Sequence, residues 1–214
     1  MIVLALDTCL AACSVAVSRG GAALAWSSEP MTRGHQERLA PMVGEAMASA
    51  GVAYADLDRI AVTVGPGSFT GLRVGLAFAK GLALALERPC VGVGALEALA
   101  AGAGPSLGAV GAVIDAGRGR VYLQIFRDGA AIVGPDSLDL GAALARIAEL
   151  CPSADITLTG PGADLLADLL PGALGPTQAA PDPRVVARLG AAADAAVAPR
   201  PLYLRAPDAK VKGA

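Results

Sequence analysis

GPGSFTGLRVGLAFAKG, residues 65–81, decides how the chain folds. A Gly-Pro-Gly turn runs straight into a segment with helical spacing, so the strand ending at residue 64 passes directly to a helix. The first N–H groups of a helix have no partner within it, and a Gly-rich turn at that point often cradles an anion. This turn has no G-x-x-x-x-G-K-[ST] pattern and no lysine placed to reach a phosphate. Ser68 or Thr70 is therefore expected to cap the helix by accepting first-turn N–H bonds.

Along the helix 70–86, Arg73, Lys80 and Glu87 are seven residues apart and share one narrow stripe. The rest is apolar or small, and a helix apolar nearly all round is covered on more than one side. Gly71, Gly75, Ala79 and Ala83 form a ridge of small residues that lets another backbone approach closely. That ridge either packs inside its own domain or meets a second chain. The helix 35–50 places Leu39, Met42, Val43 and Ala46 on one stripe, with Pro41 predicting either a kink or a later true start. Together with Leu72 and Leu76, these two sets define the expected helix–helix interface with a partner.

Upstream, 2–8, 12–18 and 22–28 read as a β-meander turning at Arg19-Gly20-Gly21. Strands at 59–64 and 89–93 flank the 70–86 helix. A short helix at 95–101 leads to the Gly/Pro-rich linker 101–108. At Ala109 the pattern restarts as strand, turn, strand, and an Asp again ends the first strand, LALD at 4–7 and AVID at 112–115. Helices at 140–150, 163–170 and 184–195, a strand at 156–159 and a second Gly-Pro-Gly turn at 160–162 follow. The expected fold is α/β and actin-like, a duplicated ribonuclease-H-like architecture of the actin and sugar-kinase superfamily. Its units are 1–102 and 103–200, with a tail at 201–214 packing back on the first.

The 214 residues are 54% hydrophobic with a net charge of −2, which argues against an autonomous nucleic-acid binder. No basic leader precedes MIVLALDT, and the apolar run within 74–86 falls short of the roughly 20 residues of a membrane span. Cys9, Cys13, Cys90 and Cys151 form no C-x-x-C, which predicts a reduced, cytoplasmic protein. The one histidine, His35, excludes a His–His metal pair and the H-E-x-x-H chemistry of a metalloprotease. It reads either as a polar residue opening a helix or as a lone general base. In the hairpin DTCLAACS, Asp7, Thr8 and Ser14 are candidates for a weak ATP or ADP site, and Asp7 reads equally as a residue closing a turn.

The 65–86 segment, the opening LALDTCLAACSVAV, the helix HQERLAPMV, the hairpin DAGRGRVY and the tail PLYLRAPDA together resemble the bacterial TsaB family. The resemblance runs from near residue 1 to about residue 209. It implies a non-catalytic dimerisation subunit that binds and activates TsaD, the catalytic subunit that places threonylcarbamoyl on the adenosine next to the anticodon of certain tRNAs. TsaE, an ATPase, would join the pair, tRNA would be met through the complex, and the isolated chain would form a homodimer. TsaD proteins carry a His-Leu-Glu-Gly-His metal motif where this chain reads Ala95-Leu96-Glu97-Ala98-Leu99, so both ligand positions are apolar and no metal or catalytic residue is expected. The family's Asp-Ala-Arg hairpin departs here to Gly117, with Arg118 and Arg120 nearby. The other functional class left open is an active actin-like ATPase or small kinase using Asp7 and the interdomain cleft. Lys210 and Lys212 read as a solvated tail or a tRNA contact.

Overall fold

The computed structural model of the chain describes residues 1–104, 108–153, 155–167, 169–170, 172–176 and 178–205. Strands β1 (Ile2–Asp7), β2 (Ala12–Arg19) and β3 (Ala22–Pro30) form the meander, and helix α1 (His35–Ala50) follows. Strand β4 (Arg59–Gly65), helix α2 (Phe69–Leu86), strand β5 (Cys90–Gly94) and helix α3 (Ala95–Gly102) complete the first run. The sheet order is β3-β2-β1-β4-β5, with β2 antiparallel to its neighbours and β4 and β5 parallel to β1.

The second sheet starts the same way. Strand β6 (Ala109–Gly117) pairs antiparallel with β7 (Arg120–Arg127) and parallel with β10 (Ile156–Thr159). Short strands β8 (Ala130–Ala131) and β9 (Asp136–Asp139), not expected from the sequence, both pair with β7. Beyond β10, Leu174 makes a single parallel bridge to Leu158, where the first sheet has β5. This duplicated, mixed α/β architecture is the expected actin-like fold. Helices α4 (Leu140–Leu150) and α5 (Asp164–Ala167) cover one face of the second sheet, their buried Ala143, Ile147 and Leu166 packing with Val113, Val121 and Leu123.

The alternation of strand side chains divides the first sheet between two layers. Leu4, Leu6, Val15, Val17, Ile60 and Val62 face α1 and α2. Val3, Ala5, Ala16, Ala61, Val91 and Val93 face helix α6 (Pro183–Ala192). In sequence α6 follows the second unit, yet it lies on the first sheet. Small residues permit this, since a Cβ at Gly190 would collide with that of Ala61. Arg59 at the start of β4 holds the end of α6, donating from Nη1 to the carbonyls of Gly190, Ala191 and Ala193 at 2.8, 3.0 and 2.7 Å. A cation there satisfies orphan carbonyls and complements the helix dipole.

Helix α1 runs through Pro41 and stops at Gly51, which adopts the left-handed φ of 61°. Helix α2 has a mean hydropathy of 1.4 over 18 residues, enough by length and composition for a short membrane span. Here its ridge lies on the first sheet. Gly71, Gly75, Ala79 and Ala83 are all buried, and a Cβ at Gly71 would run into the Thr8 carbonyl oxygen. At Gly75 it would come within 2.5 Å of Thr8 Oγ1. By contrast, Gly81 of the same helix has open space around it.

Two alanine substitutions in α2 should therefore have opposite signs. Gly71→Ala should cost about 1–3 kcal/mol or more, because the obstacle is backbone. Gly81→Ala should stabilise by about 0.5–1 kcal/mol, because an exposed helix interior favours alanine. Urea denaturation of the two variants checks both.

Candidate functional site

The two hairpins at the strand ends are the fold's natural ligand positions, and both are built on the same turn. Asp7 Oδ1 accepts from the Cys9 amide at 3.2 Å, and Asp115 Oδ1 accepts from the Gly117 amide at 2.7 Å. Each carboxylate closes its own turn by bonding a backbone N–H two residues on. The internal repeat is therefore a repeated turn chemistry.

In the first hairpin that chemistry is sealed inside. Asp7, Thr8 and Ser14 are 0%, 1% and 0% exposed. Asp7 Oδ1 also accepts from Thr63 Oγ1 at 2.6 Å, Thr8 Oγ1 donates to the Gly71 carbonyl at 2.8 Å, and Ser14 Oγ pairs with Ser28 Oγ at 2.7 Å. The Ser68 amide donates to the Cys9 carbonyl at 2.7 Å, and Gly67 lies so close to Cys9 that a Cβ would collide. The three residues expected to offer a nucleotide site thus face the interior, where all their side-chain oxygens but Asp7 Oδ2 are hydrogen-bonded. An ATPase or kinase built on Asp7 has no accessible carboxylate to use.

The start of α2 is capped by Ser68, whose Oγ accepts from the Gly71 amide at 3.3 Å. His35 opens α1 and is 8% exposed; its Nε2 and the Asp7 Oδ2 are both buried, with no hydrogen-bond partner among the described residues. Burial raises the Asp7 carboxyl above its ordinary 3.8, outweighing its hydrogen bonds to Cys9 and Thr63 and the opposing charge of His35. Burial likewise pushes the Cys9 thiol well up and the Cys13 thiol to about 11, so neither is a ready nucleophile. No group of three or more His, Cys, Asp or Glu side chains able to hold a metal exists among the described residues.

Helix α3 carries Ala95-Leu96-Glu97-Ala98-Leu99, where the sequence comparison with TsaD expects no metal ligand. Ala95 and Leu99 are 0% exposed and join Cys9, Leu72, Ala112, Ile114 and Phe126 in one cluster that bridges the two sheets. Their side chains offer no donor atom, so a metal does not fit there. Gln178 ties the far end of α3 down by donating from Nε2 to the Leu99 carbonyl and to Thr159 Oγ1, both at 2.9 Å.

The residues of the expected partner interface lie as follows in this chain. Leu39, Met42, Val43, Ala46, Gly71, Leu72, Gly75, Leu76, Ala79 and Ala83 are every one buried in the chain's own interior. The cause is the close seating of α2 on the Thr8 hairpin, which turns the small ridge inward. What α2 presents outward is Arg73, Ala77, Lys80, Gly81 and Leu84, with Val74 and Phe78 half-buried beside them and Leu84 82% exposed. Between α1 and α2, Gln36, Leu39, Arg73, Val74, Ala77 and Phe78 line a shallow, largely apolar groove of about 500 Å³. The three- and four-residue spacing from Arg73 to Leu84 was the available signal for this face. Arg118 is exposed at the tip of the second hairpin, whereas Arg120 donates to Ser137. Lys210 and Lys212 lie outside the described residues.

Fold and hairpins together define a two-unit actin-like α/β protein with an interior first hairpin. A family model described as TsaD, tRNA N6-adenosine threonylcarbamoyltransferase, matches residues 29–157. The chain is 44% identical over 124 residues to the Escherichia coli tRNA threonylcarbamoyladenosine biosynthesis protein TsaB, covering 57% of this chain and 53% of that protein. The match thus spans about half the length of that relative. An uncharacterized protein of Mycobacterium tuberculosis is 38% identical over 181 residues, covering 83% of this chain and 78% of its own. The crystal structure of a Pseudomonas aeruginosa protein described as similar to peptidase YeaZ superposes with a TM-score of 0.80 at 33% identity, covering 95% of this chain and 99% of that one. The chain belongs to the TsaB family.

The buried Asp7 predicts a sign for pH dependence. Its folded carboxyl titrates above the ordinary 3.8, so the stability it contributes is present below that value and is lost as pH rises through the raised folded value. Asp7→Asn keeps the acceptor oxygen for Cys9 and Thr63 and removes the charge. Its thermal midpoint should approach that of the unmodified chain in acid and exceed it at neutral pH. Circular dichroism melts across the acid range check this.

Proposed function

We propose that this chain is a non-catalytic subunit in tRNA threonylcarbamoyladenosine biosynthesis, docking a TsaD-type catalytic subunit through the outward face of α1 and α2. The observation that carries the reading is the uncovered apolar face of α2, where Ala77 and Leu84 are exposed beside the α1–α2 groove. An exposed contiguous apolar surface with a polar rim marks a protein contact. Two further observations support it. Position 95 to 99 is spent on the core between the units, and the relative from Escherichia coli is named for this biosynthesis. The chain's part is then to present a rigid surface, while the chemistry resides on the partner. A TsaE-type ATPase and tRNA join through the assembled complex, in the cytoplasm. Without the catalytic subunit, the same face pairs two copies of this chain.

Leu84→Arg and Ala77→Arg place a charge on that face with no cost to the chain's own core. Each should cost several kcal/mol of association by leaving a charge uncompensated in the contact, enough to abolish a micromolar complex. Size exclusion of each variant with a TsaD-type subunit should show two separate peaks where the unmodified pair shows one. Co-elution of both variants would overturn the assignment of this face.

A further inference from the structure

The segment 199–205 crosses from the first sheet to the second hairpin and meets the docking face on the way. The register between β4 and β5 shifts between Thr63 and Gly65, and the Val64 carbonyl accepts instead from the Leu202 amide at 2.7 Å. Small residues make room for the crossing. A Cβ at Gly65 would come within 3.1 Å of the Leu202 carbonyl oxygen, and one at Gly92 within 3.3 Å of Pro199. Beyond it, Arg205 donates from Nη1 to the Ala116 carbonyl of the second hairpin at 2.9 Å. Between these two anchors Tyr203 stacks on Phe69, with ring centroids 5.1 Å apart.

Arg73 is held by the same pair of rings. Its guanidinium carbon lies 3.7 Å over the Phe69 ring, and its Nε donates to the Tyr203 hydroxyl at 3.4 Å. Arg73 is exposed, lines the α1–α2 groove, and has no carboxylate partner among the described residues. A stacked guanidinium is a planar fork already oriented, so less rotamer freedom is lost when it closes on a carboxylate. Its terminal N–H donors are left for such a group.

We infer that Tyr203 is a positioning residue for Arg73, and that Arg73 so held is the polar anchor of the docking face, accepting an Asp or Glu carboxylate of the TsaD-type partner. This rests on the docking role proposed above and specifies its chemistry. The apolar walls formed by Val74, Ala77 and Phe78 suit a protein helix bearing one carboxylate. The C-terminal segment thereby tunes partner affinity without touching the partner.

A double-mutant cycle on the full chain tests it, reading the dissociation constant with a TsaD-type subunit at low and high salt. Arg73→Gln and Tyr203→Ala should each weaken binding about tenfold, the value of one close charge pair. The double variant should be no weaker than either single, because both remove one interaction. All three should flatten the salt dependence, a readout that general destabilisation would not move. Tyr203→Phe keeps the ring on Phe69 and should show a smaller flattening with about a threefold loss, so the question is answered even where Tyr203→Ala folds poorly. Unmodified affinity in Tyr203→Phe and Tyr203→Ala, or additive losses in the cycle, would overturn the inference while Leu84→Arg still abolishes the complex. If Leu84→Arg binds normally, the docking role itself fails. If Arg73→Gln leaves subunit binding intact but weakens tRNA binding by the assembled complex, the guanidinium serves phosphate and the carboxylate assignment is overturned.

Discussion

The contact on which the rest of the structure depends is the close seating of helix α2 on the first hairpin. Two hydrogen bonds lock it, the Thr8 hydroxyl to the Gly71 carbonyl and the Ser68 amide to the Cys9 carbonyl, while Ser68 Oγ caps the helix by accepting from the Gly71 amide. A side chain at position 71 would force the helix off this seat, because its Cβ would run into the Thr8 carbonyl oxygen. Once the helix is seated, two consequences follow together. The Asp7 carboxylate and the Thr8 hydroxyl of the hairpin are closed off from solvent. The helix is left with an apolar face on the side away from the sheet.

A second substitution of chemistry by packing occurs at α3. Ala95 and Leu99 turn a helix that could have carried ligands into the filling between the two sheets. Hydrophobic burial there is non-directional and tolerates no polar donor without a partner. The inter-unit contact is therefore held by packing together with the Gln178 and Arg205 bonds to carbonyls of α3 and the second hairpin.

Much of this architecture is legible along the chain. The meander, the helices α1, α2 and α3 and the second hairpin follow from period and turn residues, and the Asp near the end of β1 and of β6 marks the duplication. The missing metal ligands at 95 and 99 are visible by eye. The facing of α2 is not. Gly71, Gly75, Ala79 and Ala83 show that some backbone comes close, but a small-residue ridge is the same pattern whether that backbone belongs to the chain's own hairpin or to another chain. The two short strands β8 and β9 are likewise silent, because they exist only by pairing with β7. Helix α6 reads as part of the second unit, since sequence order carries no record of which sheet a helix returns to.

What the sequence determines by itself is local: strand and helix period, a hydroxyl cap at the start of α2, the glycines at left-handed turns, and the absence of donor atoms at 95 and 99. These depend on backbone sterics and side-chain chemistry within a few residues. Only the tertiary structure decided which face of α2 is inside, that the Asp7 carboxylate is sealed, and that Tyr203 reaches Arg73 across 130 positions of chain. Those outcomes are set by which surfaces fit against one another, and fit between distant segments has no signature in either segment alone.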